Sequence, residues 1–271
     1  MRDFLKKIAR KPLVARLTDW LAVRGILLMV YRFLFAPRGG KHEISVAGRR
    51  AQFYVYSEDE VRTLDFGNGE FPMLEFLIAG LTPGDCFYDI GAATGWYTVL
   101  LAQVVGEKGR VIAFEPQRDV YGRLLENVKL NELRNVQAFR LALSDRDGSA
   151  TLQTGGVACA GRIVSPGKGP RMFEEHVQIF HGDRFVERQI LNPPKAVKID
   201  VEGHEYSVLQ GLNRTLSQPS CEILCCEIHP RFLPQTLKLE DFLSLLRSVG
   251  FSEIQIHPRG DDLHVWASKH K

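Results

Sequence analysis

The spacing of apolar positions changes along the chain, and each change predicts an element. Residues 42–56, HEISVAGRRAQFYVY, alternate apolar and polar positions on either side of Gly48. That is the pattern of two short strands around a tight turn. Residues 57–70 carry acids and glycines with little periodicity, so they predict a loop. The loop leads into a helix over 71–80, which TPGD (82–85) ends. From there apolar runs alternate with helical stretches. Strands are expected at CFYDI (86–90), RVIAFE (110–115), VQAFRLAL (136–143), AVKID (196–200) and EILCCEIH (222–229). Helices are expected over 95–105, 117–130, 204–216 and 239–249. Residues 149–194 look irregular, with strands only near 149–153 and 176–181, and FSEIQIHP with LHVWASK closes the chain as a hairpin. Apolar strands separated by helices predict an α/β fold with a largely parallel sheet covered on both faces. Ligands of such sheets bind at the carboxyl ends of the strands, where the strand order reverses.

Composition adds little until it is divided along the chain. The 271 residues are 45% hydrophobic and 25% charged, an ordinary globular balance, and the net charge is +3. Residues 1–41 hold ten Lys/Arg and two acids, so this arm is +8 and the remaining body is −5. The expected organisation is a basic, apolar helical extension over 1–41 and one catalytic domain over 42–271. An acidic body argues against a nucleic-acid partner. Within the arm, WLAVRGILLMVYRFLFAP (20–37) is apolar but contains Arg24, Gly25 and Arg32. The two arginines are eight residues apart and fall on nearly one helical face, which suits an interfacial or packed helix better than a membrane span. The arm lacks the short cationic region and small-residue cleavage site of a signal peptide. Peripheral membrane contact and a homodimer through residues 1–41 both stay open, on an otherwise cytoplasmic protein. Cys86, Cys159, Cys221, Cys225 and Cys226 are odd in number, and three share one apolar run. They read as half-buried strand thiols in a reducing compartment, not as a disulfide framework.

The chemistry gathers at the predicted strand ends. YDIGAATGWYT (88–98) places glycines where a strand gives way to a helix. The spacing Gly91-Ala92-Ala93-Thr94-Gly95 lacks the middle glycine of a dinucleotide fingerprint. Asp89 is expected at the mouth of that turn, where a carboxylate repels a pyrophosphate and attracts an ammonium group. Glu115, twenty residues beyond Gly95, ends the next strand, where an acid accepts hydrogen bonds from ribose hydroxyls. S-adenosylmethionine, which carries an ammonium and a sulfonium and no phosphate, fits both acids. LALSD offers Ala142 and Leu143 for packing and Ser144 or Asp145 as polar contacts. VKIDVEGHE brings Asp200, Glu202, His204 and Glu205 together, and CEIHP brings Glu227 and His229 beside them. Such a pocket suits removal of a hydroxyl proton during methyl transfer. His229, with an imidazole near neutral pKa, is the expected general base, and Asp200 or Glu202 would orient it or the acceptor. A divalent ion is a rival use of these donors, though no metal is assigned to them. His204 reads equally well as a solvated residue at a helix start.

In order and spacing, FYDIGAATGWYT, VIAFEP, ENVKLN, LALSDRDG, VKIDVEGHEYSVLQG and CEIHP resemble the FkbM-type S-adenosylmethionine-dependent methyltransferases. The resemblance runs from about Glu70 to His229. It implies a Rossmann-like class I methyltransferase fold, with a mostly parallel seven-stranded sheet whose last strand is antiparallel. It implies O-methylation of a hydroxyl on a sugar, glycan or glycolipid, or on a natural product. The candidate cofactor-binding set is Glu70, Asp89, Gly91, Ala92, Ala93, Gly95, Tyr97, Thr98, Glu115, Pro116, Ala142, Leu143 and Asp200. The candidate catalytic set is Asp200, Glu202 and His229. The family usually has Asn where this chain has Ala93, which removes one polar contact to the cofactor. A scaffold that binds the cofactor without catalysis is the non-enzymatic alternative.

Overall fold

The computed structural model describes residues 40–56, 58–154, 161–164 and 173–269. The expected 1–41 extension therefore lies outside the described residues, except for Gly40 and Lys41, which open the first strand. That strand, β1 (Gly40–Val46), pairs antiparallel with β2 (Arg49–Val55) as the alternation around Gly48 requires. Their inward residues, among them Ile44, Val46, Ala51, Phe53 and Val55, pack on one face of the main body.

The segment read as a loop instead opens with helix α1 (Glu58–Phe66) and a 3-10 turn at Gly67–Gly69, before α2 (Phe71–Gly80). Glu60, on α1, forms a half-buried ion pair with Arg123, 2.8 Å away. This contact comes from far along the chain, so the local sequence does not announce the helix.

The central sheet has seven strands in the order β12-β13-β11-β10-β3-β4-β5. They are β3 (Cys86–Ile90), β4 (Arg110–Phe114), β5 (Val136–Phe139), β10 (Ala196–Ile199), β11 (Ile223–Ile228), β12 (Glu253–Arg259) and β13 (Asp262–Ser268). β3, β4, β5, β10 and β11 run parallel, while β13 is antiparallel to both β11 and β12. This is the expected Rossmann-like α/β sheet with an antiparallel last strand. The chain winds outward from β3 through β4 to β5, then returns to β10 on the other side. The strand order thus reverses between β3 and β10, and a crevice opens there.

Helices α3 (Trp96–Val105) and α4 (Arg118–Leu130) connect β3, β4 and β5. The expected helix over 204–216 is two short ones, α6 (Glu205–Gly211) and α7 (Asn213–Ser217), and α8 (Leu239–Ser248) precedes the closing hairpin. Leu74, Leu77, Leu100 and Leu101 fill one side of the sheet, and Val208, Leu212, Phe242 and Leu246 fill the other. Cys225 and Cys226 are wholly buried in β11, not half-buried; with Cys86 and Cys221 they are free thiols, and burial pushes the Cys86 and Cys221 thiols up to about 12.

The expected strand over 136–143 is two strands. After Phe139 the chain leaves the main sheet, and β6 (Ala142–Ser144) joins a second sheet of order β6-β9-β7-β8. The partners are β7 (Gly148–Thr154), β8 (Gly161–Val164) and β9 (Phe173–His181). α5 (Gly182–Gln189) follows β9 inside the stretch read as irregular, and it buries Phe185 against Phe114 and Phe139. Asp183 at its start accepts hydrogen bonds from the Arg214 and Thr215 amides, both at 2.8 Å, and from the Thr215 hydroxyl at 2.6 Å. Among the described residues no helix is long and apolar enough to cross a membrane.

Candidate active site

The crevice between β3, β4 and β10 holds an open pocket. Gly91, Ala93, Glu115, Pro116, Ala142, Leu143, Asp200 and Glu202 line it, so eight of the predicted residues meet there. Ile90, Phe114, Leu141, Leu152, Val201 and His204 complete the wall. Its charged side chains are carboxylates, and no lysine or arginine lines it among the described residues.

Gly91 shows why the turn is bare. Its φ is +76°, and a Cβ there would sit 1.8 Å from the Asp200 carbonyl oxygen. The backbones of the β3 turn and the end of β10 touch, and only glycine permits that approach. Ala93 stands in the left-handed region at φ +50°, and its amide donates to Glu115 Oε2 at 3.0 Å. The Gln117 amide donates to Glu115 Oε1 at 2.8 Å. Glu115 is thus aimed by two backbone amides. Burial outweighs those bonds and pushes its carboxyl up to about 7. Glu202 is also left-handed at φ +52°. Strained non-glycine residues of this kind gather at functional sites.

The structure corrects the placement of Asp89. Its carboxylate is not at the mouth of the turn but fully buried beneath it. Thr98 Oγ1 donates to its Oδ2 at 2.5 Å, while its Oδ1 makes no hydrogen bond. The cause is Lys198, a 3% exposed cation that sequence reasoning missed inside the apolar run AVKID. Lys198 Nζ donates to the Gly91 carbonyl at 2.9 Å and lies 3.7 Å from Asp89 Oδ1 and 3.3 Å from Asp200 Oδ2. Burial alone would lower its pKa, but the charges of Asp200 and Asp89 outweigh that and raise it. Lys198 therefore ties the glycine turn to the acid at the end of β10. The only cue in the sequence was a charge in an otherwise apolar strand.

Six further predicted residues stand off the pocket. Ala92 is buried in the turn, and Gly95 starts α3 at φ +92°. Thr98 is spent on Asp89. Tyr97 donates to Glu70 Oε2 at 2.5 Å, and Glu70 also pairs with Arg259. Arg259 reaches Glu227 Oε1 at 2.7 Å, and His264 stands 3.4 Å from Glu227 Oε2. Although burial opposes it, His264 and Arg259 hold the Glu227 carboxyl below the usual carboxylate range.

His229, the sixth, is 2% exposed behind Asp200 and does not line the pocket. Its Nδ1 donates to Glu205 Oε1 at 2.7 Å. Its Nε2 faces Glu202 Oε2 at 3.6 Å and Asp200 Oδ1 and Glu227 Oε1 at 3.8 Å each. Burial lowers its pKa, but the Glu205 hydrogen bond and the charges of Asp200, Glu205 and Glu202 outweigh burial and raise it to about 9. The expected near-neutral general base is therefore a buried group that holds its proton at pH 7, oriented by Glu205 and not by Asp200 or Glu202. His204, in contrast, does border the pocket; its Nε2 lies 3.0 Å from Ser144 Oγ, and burial lowers its pKa.

The pocket fits S-adenosylmethionine on its own terms. An acid-lined cleft without a cation disfavours a pyrophosphate and favours a sulfonium and an ammonium. Apolar Ala142, Leu143 and Leu152 offer a flat wall for a base, and Glu115 offers two fixed oxygens for hydroxyl donors.

Comparison with known proteins agrees. The model of the methyltransferase FkbM domain matches residues 89–253, more than half of the chain. The chain is similar to the hexuronic acid methyltransferase AglP of Haloferax volcanii, at 29% identity over 216 residues, covering 80% of this chain and 82% of that protein. Among solved structures it resembles a proposed rRNA-methylase from Clostridium thermocellum, with a TM-score of 0.50 and 16% identity, covering 74% of this chain and 94% of that one. That likeness speaks for the fold alone.

Proposed function

Since this chain belongs to the FkbM methyltransferase family and takes its methyl group from S-adenosylmethionine, we propose that the acceptor is an oxygen atom of a sugar. The observation that carries this reading is the pair of carboxylates, Asp200 and Glu202, at the end of β10 in the same pocket as Glu115. The name of the relative AglP, a hexuronic acid methyltransferase, supports a sugar acceptor.

In this reading the Gly91–Ala93 turn cradles the cofactor, and Glu115 accepts from its ribose hydroxyls. Ala142, Leu143 and Pro116 pack beside its base. S-adenosylmethionine supplies a methyl group on a positively charged sulfur. The protein's part is to align the acceptor oxygen in line with that methyl and to remove the oxygen's proton. Glu202 takes the proton, since it opens into the pocket while His229 does not. Asp200, held on one oxygen by Lys198 and facing His229 with the other, borders the acceptor side of the pocket.

A second reading has one observation in its favour. A sugar acid carries a carboxylate oxygen that needs no deprotonation, and the buried imidazole at this end of the site already holds its proton. Incubation with methyl-tritiated S-adenosylmethionine and a panel of neutral and uronate glycosides separates the two. Label that stays on the glycan in mild alkali is an ether and supports transfer to a hydroxyl. Label released as methanol is an ester and supports transfer to the carboxylate. No labelled sugar from any acceptor refutes both.

A further inference from the structure

We propose that Asp200, Glu227 and His229 hold a divalent cation of the manganese or magnesium class beside the methyl-transfer pocket. The three come from the carboxyl ends of the adjacent parallel strands β10 and β11, and one donor atom from each lies within 4.8 Å of the others.

The imidazole is built as a ligand. Its Nδ1 is fixed by Glu205 Oε1, and Glu205 is itself wholly buried and held by the Gly203 amide at 2.7 Å. A carboxylate that accepts the Nδ1 hydrogen bond leaves Nε2 facing a metal, the usual arrangement behind metal-bound histidines, and an ion bound there would displace the Nε2 proton. His229 Nε2 makes no hydrogen bond among the described residues, and its side chain is only 3% exposed. It faces carboxylate oxygens 3.6–3.8 Å away, too far for hydrogen bonds. Ligands each about 2.1 Å from one ion stand roughly 3–4 Å apart, which this spacing matches.

Charge argues the same way. Asp200 gives Oδ2 to Lys198, 3.3 Å away, but keeps Oδ1 toward His229. Arg259 steadies Glu227. Six carboxylates, those of Glu70, Asp89, Asp200, Glu202, Glu205 and Glu227, outnumber the cations Lys198, Arg259 and protonated His229 that they meet. One nitrogen with two carboxylates is a donor set for Mn²⁺ or Mg²⁺. An ion there would be reached from the pocket past Asp200. It would bind the acceptor oxygen and lower that oxygen's pKa, leaving Glu202 free to take the proton. That role rests on the proposed function; the site itself does not.

The test is a Mn²⁺ titration of the full chain after chelator treatment, followed by the paramagnetic resonance of free Mn²⁺, with methyl transfer measured separately. About one Mn²⁺ should bind per chain and be displaced by excess Mg²⁺. Binding should weaken at least tenfold in His229→Gln and in Asp200→Asn. Asp200 is partly exposed, so its variant keeps the test valid if the histidine variant misfolds. Wild-type protein that binds no Mn²⁺ at millimolar concentration, or Asp200→Asn that binds it unchanged, overturns the proposal. Mn²⁺ binding without methyl transfer to any sugar would retain the site and reject the function. Full methyl transfer in chelator by a chain that binds no Mn²⁺ would do the reverse.

Discussion

Glu115 is where one residue's environment translates most directly into behaviour. Burial holds its proton up to about pH 7, well above the ordinary carboxylate value. Between that ordinary value and about 7 the folded state binds more protons than the unfolded state, so this group lowers stability as pH rises through the window. A cofactor whose hydroxyls donate to Glu115 favours the ionised form. The rise in Tm produced by saturating S-adenosylhomocysteine should therefore be larger at pH 8 than at pH 6, as thermal melts would record. Glu115→Gln should weaken cofactor binding by about 1.5–3 kcal/mol, the range for hydrogen bonds to a charged group, as read by calorimetry. At Gly91 the constraint is steric. Gly91→Ala should cost more than about 3 kcal/mol in denaturant unfolding, since it adds left-handed strain to a collision with the Asp200 carbonyl. The sequence showed the acids at strand ends because Glu115 follows an unbroken apolar run and Asp200 one broken only by Lys198. It could not show which way a side chain turns. Asp89 was expected in the pocket, yet Lys198, more than a hundred residues later, draws it underneath.

At the scale of elements, legibility followed the source of each element's stability. Strands β3, β4, β10 and β11 are buried on both faces, and their apolar runs gave them away. The break between β5 and β6 was hidden because 136–143 stays mostly apolar, with only Gln137 and Arg140 polar, while the pairing partner changes from β4 to β9. Helix α5 begins at a glycine and is only eight residues long, so it is marginal alone; its amphipathic face against Phe114 and Phe139 holds it. Its Asp183 also caps α7 across space. Asp183→Ala should cost about 2–3 kcal/mol by loss of the cap and two amide partners, measured by denaturant unfolding, with methyl transfer at low temperature unchanged.

At the scale of the whole molecule, the sheet supplies an edge, and one pocket on that edge holds both Glu115, proposed for the cofactor, and Glu202, proposed for the acceptor. The described residues carry the complete seven-stranded sheet, so the proposed catalytic domain over 42–271 should bind cofactor without the arm. Deletion of residues 1–39 is expected to leave S-adenosylhomocysteine affinity within about twofold, and to abolish any low-salt sedimentation with anionic vesicles that the +8 arm confers. The claim that one pocket divides its labour between two acids is tested most directly by steady-state methyl transfer with wild type, Glu115→Gln and Glu202→Gln on a sugar acceptor that forms the ether. Glu115→Gln should raise KM for S-adenosylmethionine with little change in kcat, and Glu202→Gln should lower kcat at least a hundredfold with unchanged KM. Wild-type kcat and KM in both variants would contradict that claim.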